Sequence, residues 1–202
     1  MLGRYRVLTT VAGGRRRPRE PTLGTYIALL RGINVSGHRP VKMDRLRELL
    51  DALGHTDVST YLQSGNVVFH TQRRTPGELA STIGRRIAKD LGLDVAVIVR
   101  TKQELAKVVG GNPFATRGVD AAHLHVTFLR ERPTTAIVRA VEPASYLPDT
   151  FAIAGREVYL RCPNGYGRTK LNNAFFERTL GTTATTRNWK TVTALLDLAG
   201  GG

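Results

Sequence analysis

Two cation-rich, glycine-rich stretches contain the residue types that hold phosphates. In the first, GINVSGHR, Gly32 and Gly37 stand at the G-x-x-x-x-G spacing of a phosphate-cradling loop, with Asn34 between them. Glycine exposes backbone amides, and Arg31, His38, Arg39 and Lys42 surround them with positive charge. A nucleotide-triphosphatase loop continues with Lys and Ser or Thr and opens a helix at once, so that its N-terminal amides face the phosphates. Here His38 and Arg39 hold those places, and Pro40 biases Arg39 toward an extended backbone. The helical pattern waits until about Asp44, and no later strand ends in an Asp suited to magnesium. The triphosphatase reading falls away. An anion-holding loop or a plain strand-to-helix connection remains.

The second stretch runs from Asn164 to Lys170. Gly165, Gly167, Arg168 and Lys170 immediately precede a predicted helix, a better geometry for an anion; the alternative is a flexible turn capped by Thr169. A third candidate is Arg187-Asn188-Trp189-Lys190, where the only tryptophan lies beside two cations and has the chemistry to stack a base or ligand ring. Core packing of Trp189, with Asn188 as a helix N-cap, is the stronger reading.

Catalytic and metal patterns are absent from the sequence. His123 and His125 fall on one face of a strand, but two histidines without a companion make no zinc site. Ser64 lacks the G-x-S-x-G context and joins two strands, where a nucleophile elbow joins strand to helix. Cys162 precedes Pro163 with no adjacent His and reads as structural. No cofactor is expected.

Composition narrows the classes further. The 202 residues, 41% hydrophobic and 23% charged, suit one or two globular domains. No apolar run reaches the roughly 18–20 residues of a membrane span, and a lone cysteine fits a reducing, cytoplasmic setting. The formal net charge is +14, with 24 of 30 basic residues being Arg, a surface that attracts polyanions. Six of those arginines lie in the first 24 residues, a Gly- and Pro-containing segment read as a disordered basic tail or an overlong start.

From Thr25 onward a regular pattern must position these candidates. TYIALLR is a buried strand, and Asp44 opens a helix with Leu46, Leu49, Leu50 and Leu53 on one stripe. VSTYL and NVVFHT form a hairpin through Gln63-Ser64-Gly65-Asn66. A helix follows from about Pro76 to Leu91, then the strand VAVIV (Val95 to Val99). This is a β-α-β-β-α-β unit. After a capping box at Thr101 to Glu104, the order nearly repeats through AHLHVTFL, a helix at Thr134 to Val141, the hairpin TFAIAG-REVYLRC, a helix placing Leu171, Phe175 and Leu180 inward, and the strand TTATTR. NWKTVTALLDLAG is a last helix. No repetition is detectable residue by residue. An RNA-recognition platform would need aromatics on the central strands, and only Tyr26 and Phe69 are offered.

Four stretches, TYIALLRGINVSGHRPVKMDRLRELL, TYLQSGNVVF, GRTKLNNAFFERTLG and ATTRNWKTVTALLDLA, together resemble the bacterial family known as domain of unknown function 1697, over roughly residues 25 to 199. Members commonly carry Gly-Lys or a similar basic pair where this chain has Gly37-His38. The resemblance implies two ferredoxin-like subdomains and no established activity.

The sequence therefore predicts an α+β protein of two tandem ferredoxin-like (βαββαβ) subdomains with antiparallel sheets, at 25–100 and 101–202, plus a C-terminal helix. Its expected partner carries phosphate, either nucleic acid or a phosphorylated small molecule, held by basic loops, with no membrane association. The alternatives are an enzyme acting on a small phosphorylated or nucleotide-like ligand in the cleft between the two subdomains, which would require a pocket joining the Gly32 and Gly165 loops, and an interaction scaffold without ligand. Nothing in the sequence fixes an oligomeric state.

Overall fold

Eight strands and six helices form among the described residues of the computed structural model, which are 23–34, 40–72, 74–141 and 143–201. Residues 1–22 of the expected tail lie outside them, as do Gly37, His38 and Arg39. The first half is β1 (Leu23–Leu30), α1 (Met43–Asp51), β2 (Thr56–Tyr61), β3 (Asn66–Gln72), α2 (Pro76–Leu91) and β4 (Val97–Thr101), followed by α3 (Lys102–Gly110). The second is β5 (Leu124–Leu129), α4 (Thr135–Ala140), β6 (Thr150–Ala154), β7 (Glu157–Arg161), α5 (Asn173–Leu180) and β8 (Ala184–Asn188), closed by α6 (Trp189–Gly200). Two four-stranded antiparallel sheets result, ordered β2-β3-β1-β4 and β6-β7-β5-β8. The expected pair of ferredoxin-like units with a C-terminal helix is what the chain folds into.

The period-2 alternation of the central strands explains the layering. Tyr26, Ala28 and Leu30 of β1 face α1 and α2, with Phe69 of β3. Ile27 and Leu29 face the other way, with Val68 and Ile98, and meet Leu105 and Val108 of α3, Val192 and Leu195 of α6, and Val126 and Phe128 of β5. The helices that end each half thus fill the space between the two sheets. Beyond the second sheet, Leu160 and Leu129 pack under Phe176 and Leu180 of α5. Tyr26 and Phe69 stack on each other, 5.8 Å between ring centroids, inside the first core. The opposite face of that sheet, where bases would stack, is covered by α3 and α6.

Several local expectations shift for physical reasons. α1 begins at Met43, not at Asp44, because Met43 continues the buried stripe of Leu46, Leu49 and Leu50; Lys42 takes the N-cap position without a side-chain bond, and Asp44 instead pairs with Arg47. β1 begins at Leu23, before Thr25. Phe176, rather than Phe175, is the fully buried partner of Leu180, since Asn172 caps α5 and sets its phase. Thr169 does not cap that helix; its hydroxyl accepts from the Leu171 amide. α2 and α3 carry the reciprocal Thr–Glu capping boxes at Thr75/Glu78 and Thr101/Glu104. At the β2–β3 turn, Gly65 has φ +69, and a Cβ there would lie 2.7 Å from Leu30 Cβ, so only glycine fits.

β4 runs two residues later than expected, which brings Arg100 into the strand. Thr101 must end the strand as the N-cap of α3, and Arg100 is tolerated because the second half supplies its partners. This placement exposes a repetition that the sequence hides. Ile27 pairs with Val68 and Arg100, and Val126 pairs with Tyr159 and Arg187. Leu29 faces Asn66 as Phe128 faces Glu157. Arg100 and Arg187 therefore hold equivalent positions, as do Asn66 and Glu157, and Arg31 and Arg130.

Candidate functional site

Two buried arginines tie the halves together reciprocally. Arg100 is 1% exposed; it donates through Nε to Glu157 Oε1 (2.9 Å), through Nη1 to the Val99 carbonyl (3.1 Å), and through Nη2 to the carbonyls of Leu129 (2.7 Å) and Arg156 (3.2 Å). Arg187, 9% exposed, repeats the pattern toward the first half. It donates through Nε to Asn66 Oδ1 (2.5 Å), through Nη1 to Thr185 Oγ1 (2.7 Å) and the Thr186 carbonyl (2.9 Å), and through Nη2 to the carbonyls of Leu30 (2.7 Å) and Ser64 (3.1 Å). Burial lowers both guanidinium pKa values, that of Arg187 to about 10 against the raising effect of Tyr166; both remain cations at neutral pH. Arg187, one of the anion-binding candidates, thus directs its donors at protein acceptors and clamps the two halves.

Between the halves, alongside the edge strand β4, lies a cavity of about 1010 Å³. Arg31, Arg85, Arg100, Arg130 and Arg156 line it, against Asp94, Glu104 and Glu131. Three of these arginines are committed. Arg31 makes a bidentate pair with Glu177 of α5, with Nε to Oε1 and Nη2 to Oε2 both at 2.6 Å, and Arg156 Nη2 meets Glu104 Oε1 at 2.5 Å. Arg100 is held as described. The side chains of Arg85 and Arg130 have no hydrogen-bonding or ion-pair partner among the described residues.

The other sequence candidates scatter. Gly32 is exposed at φ +66, and Asn34 is structural: its Nδ2 donates to the carbonyls of Val41 (2.9 Å) and Gln63 (2.7 Å) while its Oδ1 accepts from the Val41 amide (2.7 Å). Lys42 is exposed at the start of α1. Arg168 and Lys170 line a separate cavity of about 300 Å³ with Asp149, and Gly165 and Gly167 flank its loop. Arg31 beside Gly32 lines the large cavity, and Asn164 beside Gly165 lines the small one. Asn188 caps α6 by accepting from the Thr191 amide (2.8 Å), Trp189 packs half-buried against the central layer, and Lys190 is exposed beside it. The sequence reading missed Arg85, Arg100, Arg130 and Arg156, because single arginines on a helix, a strand and two turns form no linear motif. Arg130 follows an apolar strand just as Arg31 does, and that parallel was the available signal.

Two histidines add a pH dependence. His125 stacks on Tyr166 at 4.8 Å between centroids, and His55 lies tilted against Phe69 at 4.6 Å. Burial is the main reason that both titrate below the ordinary histidine value, helped at His55 by Arg74 and opposed at His125 by a backbone bond to His123. The unfolded chain then takes up protons first, so stability is full above about pH 6.5 and is lost as pH falls below it. Urea unfolding at pH 7 and pH 5 should show this loss, and His125→Phe should reduce it. An unchanged pH slope in that variant would exclude His125 as a source.

Cys162 is buried, which pushes its thiol up to about 11, in keeping with a structural role. No helix among the described residues is long and apolar enough to cross a membrane.

Comparison with known proteins agrees with this architecture. A solved structure described as a conserved bacterial protein from Streptococcus pneumoniae superposes with a TM-score of 0.69 at 22% identity, covering 88% of this chain and 99% of that one. At that identity the likeness extends to the fold. None of the curated proteins matches. The model of a family described as "Protein of unknown function (DUF1697)" matches residues 23–159, more than half of the sequence and both β-α-β-β starts. The chain belongs to the DUF1697 family.

Proposed function

We propose that this protein binds a small phosphate-bearing ligand in the cleft between its two halves. The observation that carries the reading is the cavity of about 1010 Å³, into which both halves contribute arginines. Its volume suits a small molecule. A guanidinium presents paired donors that match phosphate oxygens, and Arg85 and Arg130 have theirs uncommitted among the described residues. Nucleic acid is the weaker form of the reading, because the first sheet has no open face on which bases could stack. Binding rather than catalysis is the function supported, since no nucleophile and base converge among the described residues that line the cleft. The single buried cysteine fits a cytoplasmic protein.

Thermal unfolding at low salt tests the reading with pyrophosphate, nucleotides and an RNA oligomer. A small phosphorylated ligand at a hundred times its Kd should raise Tm by about 5–10 °C for a chain of this size. The shift should shrink with added salt and disappear in the double variant Arg85→Glu, Arg130→Glu. No shift from any small probe would sink the proposal, and a shift with RNA alone would transfer it to nucleic acid.

A further inference from the structure

We propose that the cleft seats its ligand's terminal oxyanion, a phosphate or carboxylate, on Arg130 and the Val97 amide, in the position that Glu177 fills in the other half. The inference rests on the cleft reading above and names the subsite within it. The template is internal. Where the second half meets Arg31, Glu177 accepts from Arg31 Nε and Nη2 at 2.6 Å each and from the Ala184 amide at 3.0 Å. That carboxylate closes two kinds of donor at once, a guanidinium fork from the first half and the first amide of the edge strand β8.

The strand register carries the template across. Leu30 faces Val97 as Leu129 faces Ala184, and β4 and β8 are both edge strands. The Arg31 amide donates to the Ala96 carbonyl as the Arg130 amide donates to the Thr183 carbonyl. Neighbouring residues of an antiparallel ladder alternate in direction, so the Val97 amide points out of the sheet edge as the Ala184 amide does. It is accepted by no group among the described residues, although Val97 is only 2% exposed. Buried amides in native proteins are almost always bonded.

The helix register supplies the remaining part. α2 and α5 both end at a left-handed glycine, Gly92 at φ 66 and Gly181 at φ 67. Each glycine amide donates to the carbonyl four residues back, Ala88 in one case and Glu177 in the other. Counted back from that glycine, Ala88 corresponds to Glu177, with the link from glycine to edge strand two residues longer before Val97 than before Ala184. The chain keeps the arginine and the strand amide and replaces the acid with a methyl group. Ala88, Val97 and Arg130 line the same cavity. An oxyanion arriving there meets a guanidinium fork and an unshared N–H, the donor set that Glu177 already satisfies once in this molecule.

Restoring the acid tests the assignment. The full chain is compared as wild type, Ala88→Glu and Ala88→Gln by thermal unfolding, with and without inorganic phosphate at constant ionic strength. Ala88 is exposed on a helix and both replacements are helix formers, so neither should disturb folding. Ala88→Glu is expected to melt about 2–4 °C above Ala88→Gln without phosphate, and to lose at least tenfold in apparent phosphate affinity relative to wild type. An Ala88→Glu melt no higher than that of Ala88→Gln overturns the subsite whatever the ligand result. A stabilised Ala88→Glu that responds to phosphate as wild type does also overturns it, while leaving the cleft reading to Arg85. Wild-type indifference to every phosphorylated probe overturns the cleft reading itself, which the Ala88→Glu comparison alone does not address.

Discussion

Arg187→Ala is expected to lower the free energy of unfolding by about 3–5 kcal/mol, the largest effect of any single change considered for this protein. The guanidinium binds five acceptors, four of them outside its own residue's neighbour in the chain: Asn66 Oδ1, Thr185 Oγ1 and the carbonyls of Leu30 and Ser64. Alanine leaves these groups buried without a donor and opens a cavity where β8 meets the ends of β1 and β3. Arg187→Lys keeps the charge but replaces a planar fork with a single ammonium, which cannot reach both the Asn66 amide and the Leu30 carbonyl. It should cost roughly half as much, and it provides a folded variant if alanine prevents folding altogether. Urea unfolding of the three proteins gives the numbers. A loss below about 1 kcal/mol in Arg187→Ala would mean that the clamp contributes little beyond solvent-equivalent bonds.

The same clamp shows how much the sequence discloses and where it stops. Period-2 runs such as TYIALL, the Thr-x-x-Glu boxes and the glycine stops are local signals, and each marked an element that forms. The site depends on long-range pairing instead. Arg187 stood beside Trp189 and Lys190 and read as part of a cationic surface; its partners Leu30 and Asn66 lie more than 120 residues away. Arg100 stands just beyond an apolar run that by itself marks no further strand, yet a strand that runs directly into a capped helix must include it. The two arginines are equivalent by register, yet they differ chemically: Arg100 meets the Glu157 carboxylate and Arg187 the neutral Asn66 amide. Divergence of that kind removes residue-level similarity while the backbone pattern persists. The GINVSGHR loop shows the converse. Its glycine spacing suggested a phosphate loop, whereas Asn34 is engaged in holding the loop's ends to Val41 and Gln63.

Glu177→Ala should lower stability by about 1–3 kcal/mol and, at the same time, make the protein responsive to small carboxylates. Both effects follow from what the side chain does. Its carboxylate is the only acceptor among the described residues for the Arg31 fork, and it also accepts from the Ala184 amide; the pair is about a quarter to a third exposed, which keeps the cost below that of the buried clamp. Alanine at this position leaves Arg31 and the Ala184 amide without their acid, as Ala88 leaves Arg130 and the Val97 amide, so the variant carries the same donor set twice. Acetate or phosphate should therefore recover part of the lost Tm, with an increment beyond the wild-type response at equal ionic strength. Glu177→Gln serves as the control, since its amide oxygen still accepts from Ala184 but gives Arg31 no charge. If Glu177→Ala loses stability and neither anion restores any of it beyond the wild-type shift, then an arginine and an edge-strand amide do not make an oxyanion cradle in this fold. The parallel drawn to Arg130 would lose its template, because the two positions share strand register, a left-handed glycine at the helix stop and donor chemistry, while only one of them takes its acid from the chain.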